Sequence, residues 1–472
     1  MSQYRSKETY VVEKWTAAVI GGGIAGMSAA YELKKAGFKV TVFESRNRVG
    51  GRICTEKHGP FLMDLGTAVY LGTSKEAVAL IHEIGLGAEF VETPVSIGLP
   101  RQGVSHVLDL GTPLRSGVKS GVLSWPAKIK ALRLLADVVR FRRSLGYDTY
   151  DELAVIDTET VYEYSNRSLN SELTKYLSAP LISGTWVGDV KDTSAALLLW
   201  TVRNMLVKSV FNLTSGVAGL PNRLATLVDT RVGHPVSNVT DDGSRVQVTY
   251  RDPGLGSDVT EEFDYAVIAT TARPALAIFP QMDENHRGLY ETARYHRLGN
   301  ISMGFSARPR NMGTFAQVSP YDDPDTIAVI ADHNKAPGRA PADKGLLTVL
   351  LSPSYLARND DRDDDYLLNH ALGRIEYYYG NLPGELEAQS VMRWPESVPV
   401  IDRGRFKKIA AFRKGVDPTK RVQFASDLDR IPGLNGALVS GREAAGRVTD
   451  VARMAYRPLV TRPGREAVQP GA

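Results

Sequence analysis

Residues 17–52, AAVIGGGIAGMSAAYELKKAGFKVTVFESRNRVGGR, constrain the fold more than any other stretch of the chain. Ala17–Ile20 is an apolar run without polar alternation, the pattern of a parallel strand covered on both faces. Gly21, Gly23 and Gly26 follow as G-x-G-x-x-G. The first allows a tight turn, the second lets backbone approach a pyrophosphate, and the third lets a helix pack closely on the strand. A helix is expected from Ile24 to Ala36, with Ala29, Ala30, Leu33 and Ala36 inward and Gly37 ending it. Its first N–H groups, around Ile24 and Ala25, and its positive dipole end suit phosphate. Phe38–Phe43 reads as the second strand. Glu44 lies 18 residues past Gly26, near the spacing of about 20 for the acid that takes ribose hydroxyls. The glycines alone would be a weak signal. The full order of strand, turn, helix, strand and acid points to a dinucleotide site, and Glu44 favours a 2′-hydroxyl over a 2′-phosphate.

At 472 residues, two or three domains are expected, and 43% hydrophobic against 23% charged residues is enough for a substantial core. A net charge of +4 is small for this length and gives no case for nucleic acid. Cys54 is the single cysteine, so the chain can form no internal disulfide and no cysteine-based cluster, which agrees with a cytoplasmic setting. The start, MSQYRSKETYVVEKW, lacks the apolar core of a signal peptide, and no stretch reaches about 18 uninterrupted apolar residues. The eight histidines show no H-x-x-x-H or H-E-x-x-H spacing, and no metal is expected.

The organisation reads as interleaved. Helical pattern at Gly219–Val228, strands at His234–Val239, Arg245–Arg251 and Tyr265–Thr270, a short strand at Val422–Ala425 and a helix at Gly436–Ala455 complete the first unit. The expected fold is α/β. A Rossmann-type domain is assembled from residues 1–66, 211–274 and 391–457, and an interleaved α+β substrate domain from 67–210 and 275–390. The first insertion reads as mostly helical. The second alternates like strands (ISMGFSA, TIAVIAD, LLTVLLS) before a helix at Asp364–Tyr379. The proline- and glycine-rich residues 458–472 read as a disordered tail.

The glycine pattern runs on into Arg48-Val49-Gly50-Gly51-Arg52. This R-x-G-G-R turn resembles that of the FAD-dependent amine oxidase, protoporphyrinogen oxidase and phytoene desaturase superfamily. Three further stretches match in the family's order. Met63-Asp64-Leu65-Gly66-Thr67 resembles the segment that runs under the flavin. Pro235-Val236 resembles the strand that contacts the adenine by backbone. Phe424-Ala425-Ser426-Asp427 through Leu434-Asn435-Gly436-Ala437 and on to Gly441 resembles the closing flavin motif. The resemblance implies non-covalent FAD held by Gly21, Gly23, Ile24, Ala25, Gly26, Glu44, Ser45, Arg46, Gly50, Gly51, Arg52, Gly66, Thr67, Val236, Ser426, Asp427, Asn435, Gly436 and Ala437. Arg48 and Arg52 would place charge or backbone N–H groups at the pyrophosphate and flavin edge. Asp427 would accept from a ribityl hydroxyl, and the helix opening at Gly436 would stabilise negative charge at flavin N1 and O2. The family usually has glycine where this chain has Ser426.

Within the superfamily, amine oxidases carry a lysine on a substrate-domain strand near flavin N5. The matching stretch is Gly299–Phe305, where Met303 takes the lysine's place, and no lysine lies between Gly288 and Pro309. Leu428–Leu434, ahead of the closing motif, also lacks the aromatic residue of an amine cage. Thr160–Asp189 and Arg393-Trp394-Pro395 fit the protoporphyrinogen oxidase and desaturase branch better. The implied activity is hydride removal from a C–C or C–N bond of a small, largely apolar or cyclic substrate, with dioxygen as acceptor. A flavin amine oxidase, a carotenoid-type desaturase and a redox-neutral flavin isomerase are the alternatives. No catalytic base is assigned. Met303 and Trp394 are candidate pocket walls, although a lone tryptophan is more often core. Arg101 and Trp394 are candidate substrate contacts, and His106, Arg308 and Arg310 further candidates for an anionic group.

Trp125–Leu145 mixes Lys128, Lys130, Arg133, Arg140, Arg142 and Arg143 with apolar residues. It reads first as a solvated helix face and second as a peripheral membrane contact. Ala195–Val210 reads as a buried helix in preference to a tunnel lining, and Arg358–Asp364 as an exposed loop. Oligomeric state has no signature in the sequence.

Overall fold

The computed structural model describes residues 15–71, 73–101, 104–204 and 209–455. The reading of 458–472 lies outside them. Within them, β1 (Thr16–Ile20), α1 (Ile24–Lys35) and β2 (Lys39–Glu44) form where the apolar run, the glycine turn and the second run predict. Gly37 follows the helix at φ +98°, a left-handed conformation that suits glycine. Three more parallel strands join them: β3 (Asp229–Val232), β4 (Tyr265–Ile268) and β5 (Val422–Phe424). The sheet order is β3-β2-β1-β4-β5, so one sheet draws on three separated stretches of chain. The strands expected at 234–239 and 245–251 are present as Val236–Asp241 and Val246–Asp252, while β3, whose residues D-T-R-V carry no apolar run, has no counterpart in the sequence reading. β3 lies at the sheet edge and pairs with β2 alone.

One face of this sheet packs against α1, the helix Lys75–Glu83 and the C-terminal helix α2 (Leu434–Ala455). α2 begins two residues earlier than expected. Its Gly441 crosses α1 so closely that a Cβ there would stand 2.1 Å from the Ala25 carbonyl oxygen. The other face is covered by an antiparallel sheet of Val236–Asp241, Val246–Asp252 and Ser257–Phe263, which contributes Val239, Val248, Tyr250 and Phe263 to the shared core.

A seven-stranded sheet stands beside this unit, in the order Leu386–Pro399, Tyr295–Phe305, Gly345–Leu351, Thr326–Ala331, Phe315–Gln317, Ser96–Arg101 and Val104–Asp109. Its three central strands and the helix Asp364–Tyr379 lie where the sequence alternation places them. The hairpin Ser96–Asp109 is an unexpected β element inside the helical insertion, joined to this sheet through the pairing of Phe315 with Ile97. Ala195–Asn204 is a buried helix, but Ser209–Leu213 is already a strand, so the apolar run changes structure along its length. The strand Leu386–Pro399 runs through position 391, where the sequence places a boundary.

Candidate active site

The two glycine turns are built against each other. Gly50 N–H donates to the Gly22 carbonyl at 2.8 Å, and Gly23 and Gly50 form a lone parallel bridge. Gly21, at φ +109°, has no room for a side chain, since a Cβ would meet the Ala269 carbonyl oxygen at 2.7 Å. A Cβ on Gly26 would stand 1.9 Å from the Gly21 oxygen. Gly23 is different: its missing side chain faces open space, and it caps α1 without any side-chain hydrogen bond. The opening N–H groups of α1 are therefore left for an incoming acceptor. Glu44, buried at the end of β2, accepts from Gly22 N–H at 2.7 Å and from Arg46 N–H at 2.9 Å. A carboxylate, an uncapped helix start and a bare glycine thus converge, and this donor set fits a dinucleotide. Val236 opens its strand just beyond His234, whose N–H donates to the Glu44 carbonyl.

Arg52 continues this edge towards the C-terminal motif. Its guanidinium donates to Asp427 at 2.9 Å and to the Ser397 carbonyl at 2.8 Å. Asp427 raises the Arg52 pKa against the opposing effect of burial. Arg48 turns back on its own loop, donating to the Gly51 carbonyl at 3.0 Å. Ser426 is extended, at φ −157°, so the position has no conformational need of glycine. Its N–H donates to Ser440 Oγ, and its own Oγ accepts from Leu428 N–H. The Asn435 side chain reaches the helix Lys75–Glu83, accepting from Ala77 N–H at 3.3 Å and donating to Glu76 at 2.9 Å. Ser45, Gly51, Gly436 and Ala437 lie in the same turns, Gly436 so tightly that a Cβ would meet the Ile431 oxygen at 2.2 Å.

Gly66 has no space for a Cβ, which would lie 2.0 Å from the Arg52 carbonyl oxygen, and Thr67 N–H donates to that same oxygen. Trp394 is buried against this segment, and its indole N–H donates to the Leu65 carbonyl at 2.6 Å. It is a support beneath the Leu65–Gly66 backbone, in a cluster with Met63, Leu65, Val187 and Leu298. Met303 is fully buried among Ile301, Phe305, Leu347 and Val349, on the face of its strand away from Phe61 and Asp64. The opposite face carries Asn300, which donates to the Asp64 carbonyl at 3.4 Å, then Ser302, then Gly304 beside the Phe61 ring. This is the period-two alternation of a strand. Met303 and Trp394 are both buried, as are Asn300 and Ser302 on the other face of the strand. Arg101 is engaged by Glu172 at 2.6 Å and lies over the Tyr176 ring at 4.3 Å, an internal tie. Arg308 and Arg310 donate to backbone carbonyls of Lys344, Pro341 and Tyr378.

The sequence reading missed a charged cluster at this segment. Asp64, Lys335 and Arg339 have fully buried side chains. Lys335 Nζ lies 3.1 Å from Asp64 and pairs with Asp332, and Arg339 lies 3.1 Å from Asp64. Nothing in the local pattern of DHNKAPGRAP marks these cations as interior. The loop Leu428–Leu434 holds a further buried cation, Arg430, paired with Asp148 at 3.2 Å and with Glu443.

The chain matches the family described as flavin containing amine oxidoreductase over residues 24–449. The chain belongs to this family. It is a flavin-dependent oxidoreductase. Among curated relatives, coproporphyrinogen III oxidase of Bacillus subtilis is 24% identical over 84% of this chain and 90% of its own length. The enzyme of that name from Staphylococcus aureus is 22% identical over 91% and 98%. The solved structure of cyclohexylamine oxidase from Brevibacterium oxydans shares the fold, with a TM-score of 0.74 at 16% identity, covering 93% of this chain and all of that one.

Proposed function

We propose that this chain is an FAD-dependent oxidase that removes hydride from C–C or C–N bonds of a porphyrinogen-type macrocycle, with dioxygen as acceptor. The observation that carries the substrate class is that the strand Tyr295–Phe305 carries no lysine on either face, Ile301, Met303 and Phe305 lying on one and Asn300, Ser302 and Gly304 on the other, while the loop Leu428–Leu434 carries no aromatic residue; the resemblance to amine oxidases would require both. Relatives named for coproporphyrinogen III match along nearly the whole chain, which supports the same class.

In this reading FAD is bound non-covalently. Gly21, Gly23, Ile24, Ala25 and Gly26 receive the pyrophosphate, and Glu44 with Ser45 and Arg46 the adenosine ribose. Val236 meets the adenine by backbone, and Gly50, Gly51, Arg52, Ser426 and Asp427 hold the linkage to the flavin. Gly66 and Thr67 lie beneath the ring, and Asn435, Gly436 and Ala437 bring the start of α2 to its edge. The bound flavin supplies the acceptor for hydride. The polypeptide orients substrate, excludes water and places the α2 start where negative charge develops. In the same reading residues 1–66, 211–274 and 391–457 hold cofactor and 67–210 and 275–390 shape the substrate side, although the strands Leu386–Pro399 and Ser209–Leu213 pair across the boundaries at 391 and 211.

The test is anaerobic mixing of the purified yellow protein with chemically reduced coproporphyrinogen and, separately, with primary and polyamines. Bleaching by the porphyrinogen, recovery in air with peroxide and a fluorescent porphyrin product support the proposal. Bleaching by amines alone transfers the chain to the amine oxidase reading. Porphyrinogen turnover without net electron transfer indicates the isomerase.

Peripheral contact with an anionic membrane belongs to the same proposal. On the helix Trp125–Arg140 the residues Trp125, Ile129, Leu132 and Val139 are each 60–67% exposed and share one stripe. Arg115, Lys119, Lys130, Arg140, Arg142 and Arg143 surround it. The one acid between 113 and 143, Asp137, is buried against Tyr164. An apolar stripe within a cationic surround is complementary to anionic lipid, whereas the sequence reading preferred a merely solvated face. Among the described residues no helix is long and apolar enough to cross a membrane. Co-sedimentation with phosphatidylglycerol vesicles, lost at high salt and in Ile129→Ser/Leu132→Ser, is expected. Dimerisation through this face, without vesicle binding, would overturn it. A cytoplasmic location accords with such a surface.

A further inference from the structure

The segment Asp332–Arg339 wraps the strand Phe61–Asp64 and the turn after it. Leu62 N–H donates to the Arg339 carbonyl at 3.0 Å, and Lys335 Nζ donates to the Ala68 carbonyl at 3.1 Å. Asp64 is held from every side, by Lys335 and Arg339, by Thr55 Oγ at 2.7 Å and by Val217 N–H at 3.2 Å. Asp332 is tied in turn to the seven-stranded sheet. Thr348 Oγ donates to it at 2.5 Å and accepts from Ser302 Oγ at 2.7 Å. Arg339 also reaches Asn212 at 2.5 Å. Two acids and two bases therefore form one buried, formally neutral group, joined by Lys335 to the backbone of Ala68.

Burying four charges costs several kcal/mol per ion before pairing. Well-packed apolar residues would serve stability as well. Such a group is retained where it fixes a geometry or a potential. We propose that Asp64, Asp332, Lys335 and Arg339 act as positioning residues. They clamp the 64–68 segment and hold the charge beside the flavin at zero, so that removing a charge of either sign shifts its reduction potential. This inference rests on the placement of FAD over Gly66 and Thr67 given above. Reduction adds negative charge to the ring, and a nearby fixed charge acts on it with little screening in a water-poor interior.

The prediction has opposite signs for opposite charges. Lys335→Met leaves the group at −1, and the flavin midpoint potential falls. Asp332→Asn leaves it at +1, and the potential rises. Lys335→Arg keeps the wild-type value. The measurement is dye-equilibrated anaerobic reduction followed by flavin absorbance, with FAD affinity measured in parallel. A purely structural clamp would move both variants the same way, through lost affinity, or leave the potential unchanged; either result overturns the inference. Should one variant fail to hold flavin, the sign of the other decides, since Asp332→Asn must raise the potential and Lys335→Met must lower it. Wild-type protein that is colourless and cannot be reconstituted with FAD refutes the cofactor placement itself. Flavin that binds normally but ignores these charges refutes this inference alone.

Discussion

Gly23 and Gly26 are both glycines of one motif, yet they answer to different demands. Gly26 is excluded from bearing a side chain by the fold, because its Cβ would overlap the Gly21 oxygen. Gly26→Ala should cost about 1–3 kcal/mol by overpacking, read as a lowered thermal midpoint with or without FAD. Gly23 faces open space. Gly23→Ala should leave the midpoint of the cofactor-free protein unchanged and weaken FAD binding about tenfold or more by blocking backbone approach, read by fluorescence titration. Equal loss of stability in both variants would remove the distinction. Glu44 also has two tasks. It accepts from Gly22 and Arg46 N–H groups and, in the proposed complex, from ribose. Glu44→Gln should therefore lower both FAD affinity and apo stability, the latter by about 1–3 kcal/mol through the lost charge-assisted bonds.

The strand Tyr295–Phe305 is buried on both faces from Leu298 onward, and its start carries a pH dependence. Burial pushes the His296 imidazole down to about 4, with Arg294 adding to the effect and Asp192 opposing it. The folded protein thus keeps His296 neutral at pH values where the unfolded chain, near 6.5, already takes a proton. Stability from this group is complete above about pH 6.5 and is lost as pH falls towards 4, by about 1–3 kcal/mol. Urea midpoints measured between pH 7.5 and 4.5 should fall, and His296→Asn should flatten part of the slope. An unchanged slope in that variant would assign the effect to the other buried histidines. On the neighbouring strand, Trp394→Phe keeps an aromatic side chain, though a smaller one, and removes the N–H from the Leu65 carbonyl. A loss of about 1–3 kcal/mol is expected from the orphaned acceptor, accompanied by an altered flavin absorption band if Leu65–Gly66 lies under the ring.

At the scale of the whole molecule, the first and last helices among the described residues meet where Gly441 of α2 crosses Ala25 of α1. Gly441→Ala should lower thermal stability by about 1–3 kcal/mol and release FAD, because the crossing sets both helix starts together; retention of cofactor at full affinity would show that the two helices hold it independently. The strands β1 and β2, helix α1 and the two glycine turns were legible in the chain because their determinants are local: an apolar run, positive-φ glycines and a fixed spacing. The strand alternation of 295–351 and the helix 364–379 were legible for the same reason. β3 was not, since a short polar edge strand has no pattern of its own and is defined by the partner it pairs with. The alternation of Ile301, Met303 and Phe305 with Asn300, Ser302 and Gly304 was legible too, whereas what each face packs against was not, since Leu347 and Asp64 are brought there by folding. The buried charges of Lys335 and Arg339 lay beyond the sequence reading, and the basic amphipathic pattern of Trp125–Arg140 was legible without showing that its apolar stripe stays uncovered. Whether a cation is paired inside or an apolar face is left outside is decided by residues hundreds of positions away. The sequence by itself determined a dinucleotide-binding unit, since a short segment contains all the backbone freedom and helix polarity that such a ligand needs. Only the tertiary structure decided what surrounds it, because burial and charge pairing are properties of surfaces brought together by folding.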